Sequence, residues 1–92
     1  MAISNDQMER LRHVKMRHEA ELMRKANVVG VGIGFRRRHG ERTDELAIIV
    51  SVTHKVPRAQ LDAEDVVPGE LEGVPVDIEA VGRLRALGGS ED

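Results

Sequence analysis

The chain has 92 residues, 40% of them hydrophobic and 33% charged, with a formal net charge of −2, no Cys, and Phe35 as its single aromatic. That length fits one domain whose core, built from Val, Ile, Leu, Met and one Phe, is too lean to be comfortable alone, which favours oligomerisation as the missing stabiliser. The absence of Cys excludes disulfides and thiolate metal sites, and no apolar run is long enough to span a bilayer, so a cytoplasmic location without membrane contact is the expectation.

The N-terminal segment reads as a helix over 5–25. Ser4 and Gln7 have capping-box spacing, Asp6 suits the positive end of the helix dipole, and neither Gly nor Pro intervenes before Lys25. Leu11, Val14, His18 and Leu22 form one stripe at helical spacing, while Met16, Ala20 and Met23 form a second. Two stripes predict either two contacts, one with the chain's own sheet and one with something else, or a single broad apolar face with charged stems extending outward. Asn27 then reads as the C-cap.

A β-hairpin is expected over 28–53. Val28 to Phe35 and Leu46 to Val52 are rich in β-branched residues, and His39-Gly40 is the turn signal between them. Counting back from that turn pairs Arg38 with Glu41, Phe35 with Asp44, Ile33 with Leu46, Val31 with Ile48 and Val29 with Val50. One face then carries Val29, Val31, Ile33, Phe35, Leu46, Ile48, Val50 and Val52, and the other sets Gly30, Gly32 and Gly34 against Ala47, Ile49 and Ser51. A slip of one residue would mix the two faces, so the pattern opposes it. Glycines at period two weaken a strand, and the return for that weakness is a flat, bald strip that another backbone, helix or subunit can approach closely. A phosphate cradle is the rival reading. It needs a turn and a helix N-terminus after the strand, and here the glycines lead into a hairpin instead.

Past the hairpin, Pro57 ends strand pairing, and 58–67 reads as a short helical turn closed by Pro68-Gly69. Leu71 to Pro75 looks like a tight bend, and the alternation of Val76, Ile78 and Ala80 with Asp77 and Glu79 predicts a third strand over 74–81, beside the hairpin. The domain is expected to occupy 1–87, with 88–92 as a tail. Charge divides near the middle of the chain: through Arg58 there are 12 Lys and Arg against 7 Asp and Glu, and from Ala59 onward 2 against 9, giving +5 and −7. Such halves attract each other within one fold or head to tail between copies.

Site chemistry is sparse. His13, His18, His39 and His54 lack any metal-binding spacing, Asp62, Glu64 and Asp65 lack the pattern of a calcium loop, and Ser4, Ser51 and Ser90 have no nucleophile context. Asp77 and Glu79 share a strand face, as paired catalytic carboxylates or as ordinary solvated residues. Arg36, Arg37 and Arg38 form a basic patch that, with the basic helix, raises nucleic-acid binding. The interspersed Glu9, Glu19, Glu21 and Glu41 and the lack of stacking aromatics oppose it.

The phrases from Asn27 to Gly34, from Glu45 to Val52, Lys55-Val56-Pro57, Leu61 to Pro68 and Gly73 to Ile78 resemble the module on the N-terminal side of certain bacterial trypsin-like serine peptidases, a type that includes the plant narrow-leaf proteins. The similarity runs roughly from Ala26 to Gly82. It implies an accessory module that helps fold, cover or assemble a partner. In that family catalysis lies in a following protease domain, which this chain is expected to lack, so no catalytic residue is carried over.

The combined expectation is an α+β fold, a long N-terminal helix packed on a small sheet built from a β-hairpin plus a third strand. The function expected of it is a non-enzymatic, self-assembling homo-oligomeric or protein-binding module without cofactor or metal. Its interface is expected at Gly30, Gly32, Gly34, Ile49, Met16, Met23 and Leu22. A regulator or inhibitor of a trypsin-like peptidase is the second expectation, and weak nucleic-acid binding the third.

Overall fold

A computed structural model describes residues 5–81. The Ser4 cap, the leucines beyond Gly82 and the tail 88–92 lie outside the described residues. The fold is α+β. Helix α1 (Asn5–Met23) is followed by β1 (Val28–Arg38) and β2 (Glu41–Val52), then by two 3-10 turns (Arg58–Gln60 and Ala63–Asp65), and finally by β3 (Glu70–Leu71) and β4 (Val74–Ala80). The sheet order is β1-β2-β4-β3, with β2 and β4 parallel and the other pairs antiparallel.

The helix ends at Met23, two residues before the expected Lys25. Arg24 and Lys25 donate to Glu21 and Leu22 in tighter i−3 bonds, and Asn27 adopts φ 69, the left-handed turn that Asn tolerates. Of its two apolar stripes only the first faces the sheet. Leu11, Val14 and Leu22 are buried, whereas Met16 is 72% exposed and Met23 42%. Together with Val28, Leu46, Ile48, Val50, Val52, Val67, Val74 and Val76 the inward stripe makes the core.

The hairpin turns at His39-Gly40, where both residues have positive φ (52 and 82), as a two-residue primed turn requires. Arg38 does pair with Glu41, but the rest of the expected register is displaced by two. Phe35 faces Leu46, Ile33 faces Ile48 and Val31 faces Val50, because Arg36 alone stands opposite Thr43, Asp44 and Glu45. That bulge is stitched in place: the Thr43 hydroxyl donates to the Arg36 carbonyl (2.7 Å) and accepts from the Glu45 N–H (3.2 Å). A shift of two preserves side-chain parity, so from Gly30 to Phe35 the faces stand as the sequence predicts, with Gly30, Gly32 and Gly34 opposite Ser51, Ile49 and Ala47. A second irregularity, between Val28 and Gly30, puts Val28 rather than Val29 against Val52, so Val28 enters the core and Val29, expected there, does not.

The expected third strand is the last of four. Parallel pairing of β4 with β2 needs a long crossover, and residues 53–73 supply it with the two 3-10 turns in place of one helical turn, plus the short strand β3. Glu72-Gly73 (φ 53 and 83) makes a second primed turn within that tight bend. The crossover is tied to the end of α1: Lys25 Nζ donates to the Glu64 carbonyl and the Ala26 N–H donates to Asp65 Oδ1 (3.0 Å). Helix and crossover thus lie together on the valine-rich face.

The opposite face is not flat, as its run of glycines leads one to expect. Gly32, Ile49 and Asp77 lie in one row across β1, β2 and β4, and Arg37 is five residues further along β1, about 17 Å in a straight strand. Yet the Arg37 N–H donates to Asp77 Oδ2 at 2.9 Å. The hairpin arm therefore curls over the glycine face, and Ala47 beneath it has no exposed surface.

Because Leu22 is 2% exposed and Met16 is not covered, the two truncations separate the stripes. Leu22→Ala should destabilise by about 2–5 kcal/mol and Met16→Ala by no more than about 0.5 kcal/mol in urea unfolding. Equal effects would contradict this orientation of α1.

Candidate interaction surface

The predicted interface residues separate into three groups. Leu22 belongs to the core and cannot meet a partner while α1 stays on the sheet. Gly34 and Ile49 lie near the curled arm: a Cβ on Gly34 would sit 3.1 Å from Ile49 Cγ1, so the missing side chain is what lets Ile49 lie across the strand. Gly30, Gly32, Met16 and Met23 remain accessible to a neighbour. A Cβ on Gly32 meets nothing within 4 Å, and one on Gly30 makes only ordinary contact with Ser51. Internal packing therefore explains one glycine of the three.

The basic patch is partly engaged. Arg36 Nη1 donates to Glu45 Oε1 (3.1 Å), Arg37 contributes its backbone N–H to Asp77, and the neighbouring Arg42 lies over the Phe35 ring with its guanidinium 4.5 Å from the centroid. Covering the sole aromatic with an arginine leaves no free stacking platform at the arm. Asp77, one of the two carboxylates on the β4 face, accepts the Arg37 N–H next to the bulge.

The histidines stay apart except where one joins a cluster the sequence did not announce. Glu72, a non-glycine residue at positive φ, receives Arg17 through Nε at Oε2 (3.1 Å) and through Nη2 at Oε1, and His18 Nε2 lies 2.8 Å from that same Oε2. Arg10 Nη2 donates to the Glu72 carbonyl. Residues 10, 17 and 18 fall on one helix flank, so α1 presents three cationic or protonatable groups to the β3–β4 turn. The hydrogen bond from Arg17, then that involving His18, holds the Glu72 carboxyl below its ordinary value of 4.5. The i+7 and i+8 spacing was visible in the sequence, but the acceptor, 55 residues away, was not. The basic and acidic parts of the chain meet within one fold at this cluster and at the crossover ties.

One further hollow, about 310 Å³, lies between the crossover and the sheet, with Val52, Val56, Leu61, Val67 and Val76 among its walls and Lys55 and Arg58 beside it. Among the described residues no three of His, Asp or Glu gather as metal ligands, and no helix is long and apolar enough to cross a membrane.

The sequence model of one family, the NARROW LEAF 1 N-terminal domain, matches residues 6–81, which takes in α1 and every strand. The chain belongs to that family. This corrects the resemblance to a bacterial trypsin-like peptidase module. The matched family is the N-terminal domain of a plant protein family, and the match extends over the helix that the resemblance, beginning near Ala26, left out. No curated protein matches the chain.

Two measurements check this geometry. A carboxyl whose folded pKa is lowered adds stability above its ordinary value of 4.5 and loses it as pH falls through the folded value. Glu72→Gln should therefore be less stable than the parent at pH 7, and the difference should shrink below pH 4.5; a constant difference would show that the carboxylate charge is not what matters. Separately, Gly34→Val should destabilise by about 1–3 kcal/mol through overpacking against Ile49, while Gly32→Val, which meets nothing in its own chain, should leave the unfolding midpoint of the dilute, dissociated chain equal or raised, as circular dichroism would read.

Proposed function

We propose that this protein is a non-enzymatic, self-associating module whose role is to hold copies of itself together. The observation that carries the reading is Gly32, a strand residue bare of side chain where the space around its Cβ position is open. A glycine at such a place weakens the strand without serving internal packing, and close approach by another backbone is a physical reason to have it. The reading is further supported by the exposed methionines of α1, which are large, adaptable apolar side chains of the sort enriched at protein contacts. Support also comes from the lean composition, because a domain of this size buries a small share of its surface and gains stability by association.

The alternative use of the basic arm, nucleic-acid binding, has less support, since Arg36 and Arg42 are occupied by Glu45 and Phe35.

Native mass measurement and light scattering over micromolar concentrations are the test. A dimer or larger closed particle is expected, with dissociation on dilution and an unfolding midpoint that rises with concentration. A monomer at every concentration, with a concentration-independent midpoint, would end this reading.

A further inference from the structure

We propose that the second copy binds along the free edge of β1, the two β1 strands running antiparallel about a two-fold axis at Gly32, so that the four-stranded sheet continues into the neighbour's. This rests on the self-association proposed above and specifies its surface.

Among the described residues no strand lies on the outer side of β1, which is 11 residues long and ends the sheet. Edge strands of this length are ordinarily guarded by charge, proline or a mid-strand bulge. From Gly30 to Phe35, between its two irregularities, β1 has none of these. Guarding is confined to the curled, arginine-rich arm. The unguarded stretch is also self-complementary. Antiparallel pairing centred on Gly32 sets Val31 against Ile33 of the copy on the helix-covered side, and Gly30 against Gly34 on the bare side. No bulky side chain then opposes another on the bare face, and β-branched pairs meet on the other.

The helix adds a second contact on the same side. Arg10, Arg17 and His18 face the β3–β4 turn, at the far end of the sheet order from β1. The other flank of α1, on which Lys15, Glu19 and Met23 fall at 100° per residue, is therefore turned toward the β1 edge. An antiparallel two-fold keeps both helices on one face of the extended sheet. Because α1 rests on both β1 and β2, the two helix axes come to about 10 Å, a normal packing distance. Lys15 and Glu19 pair within the helix at 2.9 Å, and in antiparallel helices Lys15 of each copy is brought toward Glu19 of the other, a charge pattern complementary to itself. The partner that fits this edge is another molecule of the same chain.

The absence of native Cys makes a direct test available. In the full chain, Gly32→Cys, whose side chain has room in the monomer, should form a disulfide-linked dimer under mild oxidation. Ala59→Cys, exposed on the crossover, should remain largely monomeric on a denaturing gel. Lys15→Glu should raise the dissociation constant about tenfold and Lys15→Glu/Glu19→Lys should restore it. An oligomeric parent in which Gly32→Cys crosslinks no better than Ala59→Cys would overturn the edge pairing while leaving self-association intact. A parent that is monomeric throughout would overturn both.

Discussion

The fold depends on one contact, the narrow stripe of Leu11, Val14 and Leu22 pressed against the valine and isoleucine face of the hairpin. Helix α1 has few other reasons to form: the rest of its surface is mostly charged, its second apolar stripe of Met16 and Met23 is uncovered, and a lone helix of this length is marginal in water. The hairpin has an exposed glycine side and would not be stable by itself. Each supplies the apolar surface that the other lacks, and β2, with Leu46, Ala47, Ile48 and Val50 all buried, is the strand on which everything else is laid.

Around that contact, charge acts as positioning. The +5 and −7 parts of the chain do not simply neutralise each other at long range. They meet at specific places: at Glu72 in its left-handed turn, and where the crossover passes the end of α1. The Glu72 cluster links α1 to the sheet edge remote from β1, in the rotation that the buried Leu11, Val14 and Leu22 stripe sets. That rotation decides which side chains are left outside: Arg17 and His18 reach Glu72, while Met16 and Met23 are exposed.

The glycines of β1 have more than one origin. Gly34 makes room for Ile49 in a sheet that curls until Arg37 reaches Asp77, so part of the bald strip serves the chain's own arm. Gly32 has no such internal duty, and Gly30 only an ordinary contact. Three residues alike in sequence are thus distinguished by curvature, which one strand's pattern does not encode. Membership of the NARROW LEAF 1 N-terminal domain family spans helix and sheet together, in keeping with a unit whose two layers depend on each other.

What the amino-acid order determined by itself was local. The uninterrupted helical segment, the His39-Gly40 turn, the parity of the hairpin faces and the bend around Glu72-Gly73 follow from propensity, period and turn chemistry within a few neighbouring residues. From Val31 to Phe35 the displaced pairing kept its faces, because an error of two leaves a side chain on its own side, whereas at Val28 and Val29 a one-residue irregularity exchanged them. The bulge opposite Arg36, the parallel placement of β4, the curl of the arm and the Arg17–Glu72 clamp were decided only by the tertiary structure. Each joins groups that are distant in the chain or depends on how far a strand bends, and free energies of that kind arise only once the two layers have come together.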